Sequence, residues 1–221
     1  MKIEWIGHSC FKISLNGGTI ILTDPFSPEI GLAFPKTTAD IITISHNHFD
    51  HNFTKGILNS RGAEPFKISG PGEYEVAGVK ILGISTFHDK SQGKERGKNT
   101  IYQISAEEIN LLHLGDLGTV LDDETLKKLD EIDVLFVPIG GKFTIDASEA
   151  SEVIGQIEPK IVIPMHYKVR GLKIEIDDLE PFKKEQGLSD IRPKPSLAIS
   201  KNRLPEEPEI VVLKPQAKPI K

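Results

Sequence analysis

Three histidines and an aspartate crowd one short window, Ser45-His46-Asn47-His48-Phe49-Asp50-His51. Imidazole with carboxylate is the donor set that zinc and other borderline divalent ions take. With seven histidines in 221 residues, composition alone would put three in such fixed slots in under about one sequence in a hundred. Residues two apart face the same side of an extended chain, so His46 and His48 can aim at one point as a strand ends; on a helix they could not share a face. Asp50 and His51 are neighbours, and after a turn they can reach a second point a few Å away. The spacing suits two metals, and this segment alone closes neither, so more ligands must arrive from elsewhere in the chain.

The elements that must hold such a window in place read mainly as short strands. Residues 2–6, 10–15 and 19–23 form the first group, with Asn16-Gly17-Gly18 as a hairpin turn. Further β-rich runs lie at 41–44, 65–68, 79–84, 100–104 and 109–114, with turns at Gly70-Pro71-Gly72 and Ala106-Glu107-Glu108. Helical patterning predicts helices over 122–129, 146–157 with Asp146 or Ser148 as N-cap, and 177–186. Two continuous apolar runs, 134–137 and 161–163, each stop at a proline and read as strands buried on both faces. The tail returns to strands at 196–200 and 209–213. No repeat and no linker-like tract divides the chain, which predicts one mixed domain over 1–221 with sheets inside and helices outside.

Composition narrows the function classes. Apolar residues make up 38% and charged residues 27%, as in ordinary globular proteins. The 27 Lys and Arg against 32 Asp and Glu leave a net charge of -5, so no global basic field exists to hold nucleic acid. Cys10 is the one cysteine, which excludes an internal disulfide and favours a reducing, cytoplasmic setting. No apolar stretch approaches the roughly 20 residues that span a bilayer, and Glu4, Gly7 and His8 interrupt what a signal peptide would need.

His46-x-His48-x-Asp50-His51 resembles the signature of the metallo-β-lactamase superfamily. Later segments fit it in order: Thr86-Phe87-His88-Asp89, Leu114-Gly115-Asp116-Leu117-Gly118 and Ile163-Pro164-Met165-His166-Tyr167. Trp5-Ile6-Gly7-His8-Ser9 and Leu22-Thr23-Asp24-Pro25-Phe26 look like the opening of the branch that holds the L-ascorbate phosphate lactonase and many uncharacterised hydrolases. The resemblance implies an α+β fold, a four-layer αββα sandwich of two facing mixed sheets with outer helices. It further implies one metal on His46, His48 and His88, a second on Asp50, His51 and His166, and Asp116 bridging them. Asp24 would support a ligand from behind.

Other readings stay open at several positions. His113, among Leu111, Leu112 and Leu114, competes with His88 as a ligand, although a histidine opening a polar loop at a strand end is the better placed. His8 either lines the pocket or packs against backbone. Asp116 by itself could merely shape a turn. The basic segment 90–98 is either a solvated hairpin tip or a mobile lip whose Lys94, Arg96 or Lys98 draws an anionic substrate.

The chemistry implied is hydrolysis: two divalent ions share a water, bring its pKa toward 7 and polarise the carbonyl or phosphoryl oxygen under attack. Asp50 would orient that water, and Asp50 and Asp116 would partly neutralise the metals. Zinc is the first choice, with manganese, iron or nickel open to the same donors. The substrate expected is a small, anionic lactone, ester or phosphate ester. The alternatives are a phosphodiesterase or nuclease acting on RNA or nucleotides, a di-iron redox protein, and a non-catalytic metal-binding module. His48 stands where the redox members carry an acidic residue, which favours hydrolysis.

Overall fold

A computed structural model describes residues 1–220. In chain order the elements are β1 (Lys2–Gly7), β2 (Cys10–Ser14), β3 (Ile20–Thr23), β4 (Leu32–Ala33), β5 (Ile41–Thr43), β6 (Phe66–Ile68), β7 (Gly72–Val76), β8 (Val79–Phe87), β9 (Lys98–Ala106), β10 (Ile109–His113), α1 (Asp123–Leu126), β11 (Val134–Pro138), α2 (Ala147–Ile157), β12 (Ile161–Met165), α3 (Glu180–Glu185), β13 (Leu197–Ala198), β14 (Glu209–Ile210) and β15 (Lys218–Pro219).

Two mixed sheets face each other. The first has the order β13-β1-β2-β3-β5-β6 and the second β14-β12-β11-β10-β9-β8-β7, while β15 and β4 form a separate pair. In each sheet one flank is antiparallel and the other parallel: β3, β5 and β6 run parallel in the first, and β10, β11, β12 and β14 in the second. The alternating strand β1 turns Ile3 and Trp5 inward and Lys2 and Glu4 outward, as a sheet with one face on a core requires. Between the sheets, Trp5, Phe11, Ile13 and Ile41 meet Ile104, Leu111, Val134 and Phe136, and the Phe11 and Phe136 rings lie 4.4 Å apart.

The α+β architecture of two facing mixed sheets is therefore present, with its helices few and short. α2 packs on β11, outside the second sheet, beside α3. Among the described residues no α-helix covers the first sheet; loops and a 3₁₀ turn at Pro28–Ile30 do so, burying Phe26, Ile30, Leu32, Ile57 and Leu172 against Ile6, Cys10, Leu22 and Ile42. Cys10 is thus a small core residue, and burial pushes its thiol up.

Several boundaries differ from the sequence pattern for local reasons. The apolar runs continue through their prolines: β11 includes Pro138 and β12 includes Pro164. Pro164 faces the β14 side, where β14 pairs only with Ile161 and Val162, so its missing N–H breaks no ladder bond. The helix expected over 122–129 is a single turn, capped by the Asp122 carboxylate on Thr125 N at 2.8 Å and then tightened by Lys128 and Leu129 bonding three residues back. α3 begins at Glu180 instead of 177 because Pro181 is tolerated only in a first turn. Asp146 caps α2 as expected, in a reciprocal pair with Glu149. Strand β7 is absent from the pattern reading; its Glu73 and Glu75 face water, and it is held by the β8 hairpin across the Ala77-Gly78 turn.

Candidate metal centre

β5, buried on all three of its residues, ends at Thr43 and delivers the His46–His51 segment to the edge where the two sheets meet. Thr100 N of β9 donates to Ser45 O at 2.9 Å, and Tyr102 Oη donates to Ile44 O at 2.8 Å, so the second sheet grips the start of this segment. The chain then bends, and the bend makes His46 and His48 converge where extended strand had been expected to. His46 Nε2 lies 3.0 Å from His48 Nδ1, and the His88 ring stands 4.6 Å from His46 and 5.1 Å from His48. His46, His48 and His88 form one group of donor atoms close enough to share an ion.

A second group joins Asp50, His51 and His166, with His8 as a fourth member. His8 Nε2 is 3.2 Å from Asp50 Oδ2, and the His8 and His166 rings are 4.1 Å apart. The two histidines are also tied through backbone, because His8 O accepts from His166 N at 3.1 Å and from Trp5 Nε1 at 2.9 Å. His8, Asp24 and His166 hold φ of +54°, +37° and +52°, a region costly for residues with a Cβ and found most often where a site over-determines the backbone. His8 thus belongs to the pocket and is at the same time packed against backbone.

Asp116 lies between the groups. Its carboxylate is 3.2 Å from His51 Nε2, 3.3 Å from His166 Nε2, 3.5 Å from His88 Nε2 and 3.9 Å from His46 Nε2. Asn99, a residue no sequence pattern marks, aims it: Asn99 Oδ1 accepts Asp116 N at 3.0 Å while Asn99 Nδ2 donates to Thr86 Oγ1 and Leu114 O, both at 2.9 Å. His113 lies outside both groups. Its Nε2 is spent on Ser9 O at 2.8 Å and its ring packs beside Phe11 and Phe136. The structure brings His88, and not His113, to the cluster.

The Asp116 loop can lie against His88 only because residue 118 is glycine. A Cβ there would stand 2.3 Å from Asp89 N and 2.4 Å from His88 C. Both are backbone atoms that cannot swing aside, so Gly118→Ala is expected to cost about 3 kcal/mol, the upper end for overpacking. Thermal unfolding of the purified variant should show a midpoint lower by roughly 6–12 °C. An unchanged midpoint would mean that the two loops move apart freely.

Asp24 is buried behind the cluster. It accepts Ser45 N at 2.7 Å, Ser45 Oγ at 2.6 Å and His51 Nδ1 at 2.9 Å, so it anchors His51 by the nitrogen that faces away from Asp116. Ser45 Oγ also sits 2.9 Å from His46 Nδ1, joining both groups to one carboxylate. Ser45, like Asn99, escapes sequence reasoning.

Burial sets the charges. It drives His8 down to about 4 and His46 to about 3, and lowers His88, which leaves three neutral imidazoles with lone pairs to give. Burial would raise Asp116, but the facing His166 and His51 outweigh it and hold the carboxyl well below its usual range. His51 goes the opposite way: burial would lower it, and Asp116, Asp50 and Asp24 together raise it well above an ordinary imidazole. His51 Nε2 and Asp116 Oδ1 face each other at 3.2 Å, buried and without a well-aligned hydrogen bond, and the Nε2 atoms of His88 and His166 point at the same carboxylate. Neutral imidazoles converging on a buried carboxylate fit divalent cations.

The cluster opens into a cleft of about 400 Å³ lined by His48, Phe49, Asp50, His88, Arg96, Asp116, Phe143, His166 and Ile174. Of the three cations expected at its lip, Arg96 lines the cleft, whereas Lys94 and Lys98 are exposed and lie outside it.

Similarity to known proteins points the same way. The Beta-lactamase superfamily domain model matches residues 2–166, which contain every residue of both donor groups. A UPF0173 metal-dependent hydrolase of Thermoplasma acidophilum is 31% identical over 193 residues, covering 78% of this chain and 85% of that protein. Its counterpart in Bacillus thuringiensis is 32% identical over 197 residues, covering 76% and 86%. The crystal structure of a metallo-β-lactamase superfamily protein from Thermotoga maritima matches with a TM-score of 0.78 at 38% identity, covering 97% of this chain and 99% of that one. Paired sheets, a histidine-aspartate cluster at their common edge and this sequence kinship lead to one conclusion: the chain belongs to the metallo-β-lactamase superfamily.

Proposed function

We propose that the chain, as one domain over 1–221, is a metal-dependent hydrolase with a dinuclear centre. His46, His48 and His88 would hold one divalent ion, Asp50, His51 and His166 the other, and Asp116 would serve both. Zinc suits this nitrogen and oxygen donor set best. The observation that carries the reading is the single buried carboxylate of Asp116 faced by four imidazole nitrogens between 3.2 and 3.9 Å away.

When bound, two such ions supply Lewis acidity and lower the pKa of water toward 7. The chain's own residues do the rest. Asp24 and Ser45 orient His51 and His46 by their outer nitrogens, which selects the tautomer that presents Nε2 to the centre. Asp50, on the cleft side and hydrogen-bonded to His8, is placed to accept a proton from attacking water and hold it in line. Phe49, Phe143 and Ile174 exclude bulk solvent from one side and seat the apolar part of a small substrate with a carbonyl or phosphoryl centre. The buried thiol of Cys10 fits a reducing, cytoplasmic setting, and no helix among the described residues is long and apolar enough to cross a membrane.

The test is elemental analysis of chelator-stripped protein reloaded with zinc or manganese, followed by esterase, lactonase and phosphodiesterase substrates. Two equivalents of metal and turnover abolished by chelator are expected. Turnover that survives complete stripping would overturn the proposal.

A further inference from the structure

The cleft holds one positive side chain that the metal centre does not account for. Among its lining residues Arg96 is the only Lys or Arg, sharing the cleft with His48, Asp50, His88, Asp116 and His166. Its nearest carboxylate among the described residues is Glu95 at 3.9 Å, the outer limit of an ion pair, and that glutamate is itself largely exposed. The guanidinium rests on the Phe143 ring, 5.2 Å from the centroid, a contact that orients the planar group while leaving its N–H donors unspent. Exposed Lys142 reaches the same ring at 5.6 Å and adds a second cation to the rim.

The loop that carries Arg96 is built, not slack. The Asp89 carboxylate accepts four backbone N–H groups: Ser91 at 2.8 Å and Gly93 at 2.9 Å on one oxygen, Glu95 at 3.1 Å and Arg96 at 2.8 Å on the other. Gly97 N closes back on Gly93 O at 3.0 Å, and His88 N on Gly97 O at 3.1 Å. A carboxylate at the centre of a short loop pre-organises it, so the arginine is presented from a fixed base beside His88. The sequence left open whether residues 90–98 form a solvated tip or a mobile lip; the hydrogen bonds pin the loop in one shape, largely in water, with Arg96 as its residue on the cleft.

We infer that Arg96, seated on Phe143 and positioned by Asp89, is a specificity-determining residue that binds a carboxylate on the substrate, away from the bond that is cleaved. The inference rests on the hydrolase reading and names its substrate class: a small ester or lactone with an apolar body and a carboxylate. The planar guanidinium matches a planar carboxylate in a two-point contact. The apolar walls at Phe49, Phe143 and Ile174 suit the carbon skeleton between the two ends. Cations held by the histidine cluster would repel the guanidinium, and an anionic group placed between them would relieve that repulsion.

Two esters of equal acyl length test this, mono-p-nitrophenyl succinate and p-nitrophenyl butyrate, alongside calorimetric binding of benzenesulfonate, an oxyanion with little affinity for metal. The ratio of kcat/KM for the succinate over the butyrate ester should favour the charged ester in the metal-loaded protein. It should fall about tenfold in Arg96→Met, mainly through KM, the low end for losing a charge-assisted contact at a partly exposed site. Arg96→Lys should retain part of the preference, and benzenesulfonate should bind about tenfold more weakly to Arg96→Met. An equal ratio and equal benzenesulfonate affinity in native protein and Arg96→Met would overturn the inference. If the metal-loaded protein turns over neither these esters nor the lactone and phosphodiester substrates while benzenesulfonate binding still depends on Arg96, the hydrolase reading fails and the anion subsite stands. Cleavage of both esters with no charge preference does the reverse.

Discussion

Asp116→Ala is expected to lower kcat/KM by about 10²–10³-fold, the scale seen when a group that stabilises charge at a reacting centre is deleted. The reason is geometric. Among the described residues Asp116 is the one carboxylate within 4 Å of imidazoles from both donor groups, from His46 and His88 on one side and His51 and His166 on the other. Without it the two groups would lose the negative charge that the proposed pair of cations needs to sit side by side. Metal content should drop from two equivalents to one or none when measured on the same preparation. Asp116→Asn separates shape from charge: it preserves size and one oxygen, and it should still lose most of the activity. Full metal loading and turnover in either variant would show that Asp116 only shapes the Gly115–Gly118 turn.

The largest effect on stability is expected at Asp24. Its carboxylate is buried and receives three donors, from Ser45 N, Ser45 Oγ and His51 Nδ1. Asp24→Ala strands all three inside the protein, and removal of one member of such a buried network costs about 3–5 kcal/mol. In metal-free protein the deficit depends on pH. Burial would raise the Asp24 pKa, but His51 and Ser45 outweigh it and the folded-state value lies below 3.8. A carboxyl lowered on folding stabilises fully above its unfolded pKa, and that contribution disappears as pH falls through the folded value. The gap between native protein and Asp24→Ala in urea unfolding should therefore be wide at pH 6 and narrow below about pH 4. His51, raised on folding, sustains the pair through neutral pH and releases it only as pH climbs past its own elevated value. A gap that does not change between pH 6 and pH 3 would mean that Asp24 is not ionised in the fold. Asp24→Asn should keep the packing but meet His51 with an N–H, reversing the tautomer that points Nε2 at the centre, and so weaken metal binding by about 10–100-fold.

Short-range features of this chain follow from the amino-acid sequence directly. That His46, His48, Asp50 and His51 share one small region depends on a few bonds of backbone, so spacing reveals it, although a bend and not extended strand makes His46 and His48 converge. The same holds for the Asp146 cap, for the Asn16-Gly17-Gly18 turn, and for the buried parallel strands marked by unbroken apolar runs. Each of these is decided by neighbours within about one turn of chain. What needed the tertiary structure is every choice between chemically equal residues far apart. His88 and His113 are both histidines at the end of an apolar strand. The first opens onto the edge where the sheets meet, and the second turns into the core toward Ser9 O, because sheet order and register, not local pattern, decide which strand end faces the cluster. Asn99, Ser45 and the Asp89 loop are ordinary polar residues until folding sets them against Asp116, His46 and Arg96. Lys94 and Arg96 differ by two residues in a basic run, and the four backbone bonds to Asp89, with the Phe143 ring beside the guanidinium, leave one in water and place the other on the cleft above the histidine cluster. Position along a chain specifies which groups are available, whereas the solvent-excluding contact of two sheets specifies which of them meet.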